Sequence, residues 1–459
     1  MDVYGPLLAK ALFPAFEAAR GRPTVPLLRY LQTTERWSFE ELRDLQLGLL
    51  RRLVRHAYHN TAHFRAVMDE RGLRPEDFVS LDVLRALPLL DRETVRATMT
   101  TRLATAPPGP VIQKSTSGTT GEPIVVRYNA ESRHWRDATR WRGYGWAGYR
   151  IGMRALHYWG SPPAPSSWFT RRKIALDHKL KRDLYLDSTP RGDGALTAAI
   201  ARLRRFDPQV MVAYAAGAAA LARFVNAHGL REWEAFPVIV GAERLWPQDR
   251  AEIERAFGPA FETYGCREVM LVASECEARA MHLSMEAMIV ELIVREPDGT
   301  LRPARAGEIG EVAITDLHNL ACPMIRYING DLAVAPGDAP CPCGRGLARI
   351  GPVEGRVTET LRDGQGNPVG GLVFSILFAV LDQVAKQFQV VQRADGSIVM
   401  LVIPLSGDAL PADSARAIHA FAAKYLPGAP FVIEHVTEIP LTAAGKRKVV
   451  VVEHSVESA

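Results

Sequence analysis

Residues 115–123 read Ser115-Thr116-Ser117-Gly118-Thr119-Thr120-Gly121-Glu122-Pro123, a segment of hydroxyls and glycines that closes with a proline. Glycine permits turns in which successive backbone N–H groups converge on an anion, and serine and threonine hydroxyls add donors without bulk. The apolar residues on either side, Val111-Ile112 and Ile124-Val125-Val126, are typical of short buried strands. We therefore expect a loop between two strands that binds a polyphosphate.

This loop differs from the G-x-x-x-x-G-K-[ST] nucleotide loop, which carries its lysine inside the loop and runs directly into a helix. Neither feature is present in residues 115–123. A phosphoryl group in transfer needs cationic neutralisation as its charge develops. We therefore expect another part of the chain to supply the cation.

The composition is that of a globular protein with two or three domains: 459 residues, 47% hydrophobic and 23% charged. Charges at Asp2, Lys10 and Glu17 argue against a secretory signal, and no apolar run approaches the roughly 20 residues that span a bilayer. Five cysteines fit a reducing compartment better than a disulfide scaffold. We expect a cytoplasmic protein without a membrane partner.

The net charge is +5, and the densest basic run covers residues 171–182. Such a run can attract an anionic partner such as a nucleotide, although a solvated helix face is its commoner meaning. No nucleic-acid-binding motif accompanies the run, so we expect no nucleic-acid partner.

The chain pattern predicts an α/β fold with two domains. Leucines recur at helical spacing within residues 38–71, and residues 1–105 look mainly helical. From residue 111 onward short apolar runs alternate with helical stretches, which favours a large N-terminal layered α/β domain. The pattern changes after Arg356. We expect a large domain over residues 1–356 and a small, mobile α+β domain over residues 357–459, joined by a hinge.

The loop resembles the phosphate-binding signature of the adenylate-forming enzymes, the superfamily of the acyl-CoA synthetases, and further segments resemble its other motifs in the same order. Tyr264-Gly265-Cys266-Arg267-Glu268 resembles the Tyr-Gly-x-Thr-Glu segment. The resemblance implies that Tyr264 and Gly265 lie near adenine and that Glu268 binds Mg²⁺, a cation that prefers oxygen ligands. Arg267 replaces the usual threonine; it can pair with an acidic substrate or an α-phosphate, or point into solvent.

Three further segments resemble nucleoside-binding motifs. Gly241-Ala242-Glu243 matches the small-residue segment that lies against adenine. Asp331, in Arg326-Tyr327-Ile328-Asn329-Gly330-Asp331, matches the aspartate that accepts hydrogen bonds from the ribose hydroxyls. Arg356 matches the arginine of the hinge block near the ribose or phosphates, and the pivot is Glu359, Arg362 or Asp363.

The missing cation is assigned to Lys446, because Leu441-Thr442-Ala443-Ala444-Gly445-Lys446 resembles the Gly-Lys loop of the superfamily's small domain. The resemblance implies that Lys446 and Glu268 are the catalytic residues. Within the superfamily the match is closest to the phenylacetate-CoA ligase branch and its capsule-biosynthesis-like relatives.

The resemblance implies ATP- and Mg²⁺-dependent activation of a carboxylic acid, aromatic in that branch, as an acyl-adenylate, followed by transfer to CoA. An amine, another small molecule or a carrier protein stays open as the acceptor, and so does a homodimer. Six aromatic residues are candidates for the acyl pocket, although most aromatic residues are core: Trp141, Tyr144, Trp146, Tyr158, Trp159 and Tyr214.

A second set of residues suggests a metal site. Cys276, His282, Cys341 and Cys343 supply three thiolates and an imidazole, a common set for tetrahedral structural zinc. Buried cysteines without a metal are the alternative. We expect zinc here and expect Cys266 and Cys322 to be core.

Overall fold

The computed structural model describes residues 2–115, 124–160, 167–296, 298–356, 361–366, 368–369, 384–405, 407–439 and 450–453. These form two compact units: one of Met1–Asn329 with Val334–Gly351, the other of Gly330–Ala333 with Pro352–Ala459. The second unit thus includes Pro352 to Arg356, which the sequence pattern assigns to the large domain. The boundary of a mobile domain stays a prediction.

The first hundred residues of the first unit are helical. The helices are α1 (Tyr4–Leu7), a π-helical turn (Leu8–Leu12), α2 (Phe13–Ala19), α3 (Thr24–Thr34), α4 (Phe39–Asn60), α5 (Ala62–Glu70), two 3₁₀ turns (Pro75–Asp77 and Leu81–Ala86) and α6 (Arg92–Ala97). Ser38 begins α4 with a reciprocal cap. Its hydroxyl accepts from the backbone N–H of Glu41, and the Glu41 carboxylate accepts from the backbone N–H of Ser38. Leu42 and Leu53 of α4 are fully buried, as the leucine spacing predicts.

An eight-stranded sheet forms the centre of this unit, in the order β14-β9-β8-β7-β6-β5-β3-β4. Its strands are β3 (Ala155–Trp159), β4 (Asp183–Asp187), β5 (Val210–Tyr214), β6 (Val238–Gly241), β7 (Ala260–Cys266), β8 (Met270–Glu275), β9 (Met281–Leu283) and β14 (Arg349–Ile350). The helices that accompany it are α7 (Ala130–Trp146), α8 (Trp168–Lys181), α9 (Asp193–Phe206), α10 (Ala215–Ala227) and α11 (Pro247–Ala256).

Strands β4, β3, β5, β6 and β7 are parallel. Alanines, leucines and valines of β3, β5, β6, α9 and α10 fill one continuous core cluster against this part of the sheet. The carboxyl ends of β3, β5 and β6 therefore lie at one edge, with Trp159, Tyr214 and Gly241 as the last residues of these strands. Ligands of open α/β sheets bind at this edge.

Two further groups of strands contain antiparallel pairs. β1 (Val111–Ser115) pairs with β2 (Val125–Asn129), with Ser115 opposite Val125, so strands flank the glycine-rich segment as the sequence predicts. The expectation that both strands are buried is wrong for β1, because Val111 is exposed and Ile112 is only half-buried at this end of the hairpin. A second sheet contains β10 (Met288–Arg295), β11 (Leu301–Pro303), β12 (Ile309–Asp316) and β13 (Tyr327–Val334), and in it β10 is antiparallel to β11 and to β12.

The second unit is α+β. Residues 331–333 of β13 pair with β15 (Val353–Arg356), and β16 (Leu361–Arg362) pairs with β17 (Pro368–Val369). A four-stranded sheet follows, in the order β20-β19-β18-β21, accompanied by α12 (Ala412–Tyr425). Its strands are β18 (Ala385–Gln392), β19 (Ile398–Pro404), β20 (Phe431–His435) and β21 (Val450–Val452). Across the ranges described, no helix is long and apolar enough to cross a membrane.

Candidate functional site

Gly241 ends β6 in a position where no side chain fits. A Cβ there would lie 2.6 Å from Thr263 Oγ1, a hydroxyl that is held in place because it donates to the Val240 carbonyl over 2.8 Å. The chain then turns at Ala242, whose φ is +68°, and Glu243 Oε2 accepts from the Ala216 N–H over 2.9 Å. The backbone of Gly241 thus packs closely on Thr263 at the carboxyl edge of the sheet, and the segment from Gly241 to Glu243 is held in place on both sides.

Trp159 and Tyr214 form an aromatic wall at the same edge, with ring centroids 4.1 Å apart. Of the six aromatic candidates, these two end strands that neighbour each other. Tyr158 is buried in the main core cluster, and Trp146 contacts the cysteine cluster described below. Trp141 and Tyr144 pack against a second core cluster, as Trp159 also does, so only the position at the end of a strand distinguishes Trp159 from them.

Tyr264 lies near the end of β7 and Glu268 in the turn that follows this strand, and both are buried. Each is hydrogen-bonded to β13: Asn329 Nδ2 donates to Tyr264 Oη over 2.7 Å, and the Tyr327 hydroxyl donates to Glu268 Oε1 over 3.0 Å. Burial raises the pKa of Tyr327, and the Glu268 carboxylate raises it further, so the phenol stays a donor. These two contacts bring the two motifs together.

Arg326, the first residue of the second motif, has a structural role. Its buried guanidinium makes a bidentate ion pair with Glu291 of β10, at 2.9 Å and 3.0 Å, and donates to the Leu87 carbonyl over 2.6 Å. Its φ of +53° is a left-handed conformation that an arginine adopts at a cost. The residue therefore fixes the start of β13 and with it Tyr327.

Arg267, at the usual threonine position, is exposed. Its guanidinium acts on Tyr214: burial and the Glu243 carboxylate raise the pKa of Tyr214, whereas Arg267 lowers it. The charge of Arg267 therefore reaches the aromatic wall.

Asp331 and Arg356 lie directly opposite each other in the pairing of β13 with β15, within the second unit. Asp331 is buried. Ser115 is the last residue of β1, while Thr116, Ser117, Gly118, Thr119, Thr120 and Gly121 lie outside the described residues, as does Lys446.

The four candidate metal ligands are grouped. Ligand atoms of Cys276, His282, Cys341 and Cys343 all lie within 4.8 Å of one another, with 3.8 Å between the sulfurs of Cys276 and Cys341 and 3.3 Å between Cys343 Sγ and His282 Nε2. Sulfurs at the corners of a zinc tetrahedron with bonds of about 2.3 Å are about 3.8 Å apart. The donor set and its spacing therefore fit zinc.

Residues around the cluster orient the ligands. His282 Nδ1 lies 2.9 Å from the Leu347 carbonyl, a contact that leaves Nε2 directed at the sulfurs. Burial lowers the pKa of His282 and raises that of the Cys276 thiol to about 12. Arg345 pairs with Glu35 and Glu277 beside Cys343. The neutral imidazole can bind a metal directly, whereas each thiol must release its proton when it binds the metal.

Sequence reasoning did not assign roles to Thr263, Tyr327 or Asn329. Tyr327 and Asn329 stand within the motif that contains Asp331, and their alternation along a strand was the available signal, since residues two apart face the same side. The hydrogen bond of Thr263 to Val240 had no signal in the sequence, because it joins two strands whose register the sequence does not reveal.

No family model matches the chain. It is similar to phenylacetate-coenzyme A ligase of Thermus thermophilus, with 28% identity over 367 residues, which is 78% of this chain and 80% of that protein. The phenylacetate-coenzyme A ligase of Escherichia coli is 29% identical over 347 residues, 72% of this chain and 75% of that protein.

Among solved structures, 2-hydroxyisobutyryl-CoA ligase in the postadenylation state in complex with 2-HIB-AMP has a TM-score of 0.69 and 17% identity, covering 92% of this chain and 91% of that one. Fold and motif order agree with these likenesses. In sequence the chain is similar to phenylacetate-coenzyme A ligases, and in fold it is similar to 2-hydroxyisobutyryl-CoA ligase.

Proposed function

We propose that this protein uses ATP to activate an aromatic carboxylic acid as an acyl-adenylate, with release of pyrophosphate, and then transfers the acyl group to CoA. The observation that carries the proposal is the hydrogen bond from Tyr327 to Glu268, which joins two segments that resemble motifs of the adenylate-forming enzymes. The similarity to two phenylacetate-coenzyme A ligases supports the reaction class.

The residues at the carboxyl edge supply the parts that adenylation needs. The small residues Gly241 and Ala242 and the ring of Tyr264 suit the adenine. The buried carboxylate of Glu268 suits Mg²⁺, which usually binds one or two protein carboxylates together with the nucleotide phosphates. Bound Mg²⁺ would neutralise the phosphate oxygens. Asp331 and Arg356 would hold the ribose, the 115–121 segment the leaving phosphates, and Lys446 the developing charge.

An aromatic acid is the substrate class that the wall of Trp159 and Tyr214 favours. The two rings pack against each other with centroids 4.1 Å apart and planes 35° apart, and their remaining apolar surface suits contact with an aryl group. Arg267 adds a positive charge close to this wall. A carboxylate beside an aryl ring matches both features.

The zinc proposal is separate from catalysis. We propose that Cys276, His282, Cys341 and Cys343 bind one structural Zn²⁺, because four protein ligands close a site that a reacting group would have to enter. The five cysteines are free thiols, which fits the cytoplasm, where we place the enzyme.

The experiment is a screen of carboxylic acids for ATP-dependent pyrophosphate release, run with and without CoA. We expect release with aryl acids and a thioester product only when CoA is present. Adenylation without any CoA-dependent product would instead support an amine or carrier-protein acceptor. No release with any acid would reject the proposed function.

A further inference from the structure

Helix α8 (Trp168–Lys181) is exposed along its whole length, since none of its residues is buried. Trp168, Phe169, Leu176 and Leu180 are all more than half exposed, and Phe169 reaches 77%. Contiguous apolar surface of this kind marks an interaction site in a soluble protein.

The apolar side chains of α8 point away from the body of the protein. His178 stacks on Tyr185 of β4 at 4.4 Å, and Tyr185 stacks in turn on His157 of β3 at 4.3 Å, so this side of the helix is fixed to the sheet. Phe169, Leu176 and Leu180 are seven and four residues apart and share the opposite side at about 3.6 residues per turn. They form an outward ridge.

A second ridge runs along the N-terminal helices. Val3, Leu7, Leu12 and Phe16 are exposed, Val3 by 75%, and lie four, five and four residues apart. The five-residue step crosses the π-helical turn Leu8–Leu12, whose wider turn absorbs the extra residue and keeps the four side chains on one side. The Tyr4 hydroxyl donates to the Leu180 carbonyl over 2.8 Å, so the start of the N-terminal helices lies against the end of α8.

Positive charge surrounds the ridges. Three of the nine lysines of the chain, Lys173, Lys179 and Lys181, lie on α8 together with Arg171 and Arg172. Its single acidic residue, Asp177, is paired with Lys181 at 2.7 Å. Arg172 and Lys173 flank the α8 ridge on its two sides, and Lys10 lies on the N-terminal helices.

We propose that the two ridges and their flanking cations, which we name the basic ridge face, bind the surface of an anionic lipid bilayer. Apolar side chains that enter the acyl boundary between cations at head-group level are the pattern of helices that lie on a membrane. A second copy of this chain would bring like charges together across a two-fold contact. The sequence-based expectation of no membrane partner rested on the lack of a spanning segment, which such a helix does not need.

The test is co-sedimentation of the purified full-length protein with vesicles of phosphatidylcholine alone or with about one third phosphatidylserine. We expect binding to the anionic vesicles only, weakened in high salt. Phe169→Ser with Leu176→Ser, and separately Arg172→Glu with Lys173→Glu, should each reduce binding at least about tenfold. Val79→Ser and Arg295→Glu are matched controls, because both residues are exposed elsewhere in the first unit.

Circular dichroism and the melting temperature must match the wild type for each variant. Failure of the wild type to sediment with anionic vesicles, or equal loss in the control variants, would overturn the proposal. Binding of a defined acidic protein such as apo-acyl carrier protein, lost in the same variants and without vesicle binding, would make the face a protein-docking surface and would also overturn it.

Discussion

The hydroxyl of Tyr327 donates a hydrogen bond to Glu268 Oε1 over 3.0 Å, although the two residues are 59 positions apart. The bond fixes one oxygen of a buried carboxylate at the carboxyl edge of the central sheet. A carboxylate held in this way is preorganised for a divalent cation. Removal of its charge should therefore lower the rate of the chemical step more than it lowers the stability of the fold.

We expect Glu268→Gln to lower the rate of acyl-adenylate formation by about 10²–10³-fold, because the amide keeps the shape of the carboxylate but loses the charge that binds Mg²⁺. Tyr327→Phe should lower this rate only about tenfold, since it removes one hydrogen bond and leaves the charge of Glu268 in place. Pyrophosphate exchange at several Mg²⁺ concentrations measures both. A weaker effect for Glu268→Gln than for Tyr327→Phe would contradict the role of Glu268.

Gly241→Ala should raise the KM for ATP and destabilise the protein by about 1–3 kcal/mol, because the new Cβ meets Thr263 Oγ1 at 2.6 Å and pushes the backbone at the proposed adenine site. Gly48→Ala is the matched control: nothing lies within 4 Å of its Cβ position in α4, and the change should stabilise the protein by about 0.5–1 kcal/mol. Unchanged ATP affinity in Gly241→Ala would argue against an adenine site there.

Elemental analysis by mass spectrometry should find one zinc per chain of the wild type. The Cys341→Ser variant should contain no zinc and should have a lower melting temperature. Cys322→Ser is the control, because Cys322 is buried away from the cluster and contacts Arg102. A folded wild type free of metal, with a melting temperature that chelators do not lower, would rule out the structural zinc.

Glu262 should make the protein less stable as pH rises from about 5 to about 8. Burial raises the pKa of its carboxyl to about 7. Its contribution is fully present below the pKa of the unfolded chain and is lost as pH rises through the folded pKa, because the folded state holds the proton longer. The free energy of unfolding, measured with urea across this pH range, should fall less steeply with pH in Glu262→Gln than in the wild type. Identical profiles for the two proteins would refute the raised pKa of Glu262.

The sequence was sufficient for features that depend on local spacing. Leucines at helical intervals predict α4, apolar pairs on either side of residues 115–123 predict β1 and β2, and a Cys-x-Cys knuckle predicts half of a metal site. Cys276 and His282 are predicted as the other two ligands because thiolates and imidazoles are common ligands of zinc. The structure places them next to Cys341 and Cys343.

Contacts between distant strands could not be predicted, because a shift of one residue in register exchanges the two faces of a strand. The partners of Tyr327 and Asn329 depend on how β13 lies against the turn after β7. For the same reason the sequence could not distinguish pocket residues from core residues among the six aromatic candidates. Trp159 and Tyr214 differ from a core residue such as Tyr158 in that they end their strands, and strand ends are seen only in the structure.

The most direct test of the central claim is acid-dependent exchange of pyrophosphate into ATP in the wild type and in Lys446→Ala. The account predicts exchange with an aryl carboxylic acid in the wild type, and in the variant normal ATP binding with exchange reduced by about 10²–10³-fold. Near-normal exchange in Lys446→Ala, or no exchange in the wild type with any acid of a broad panel, would contradict it.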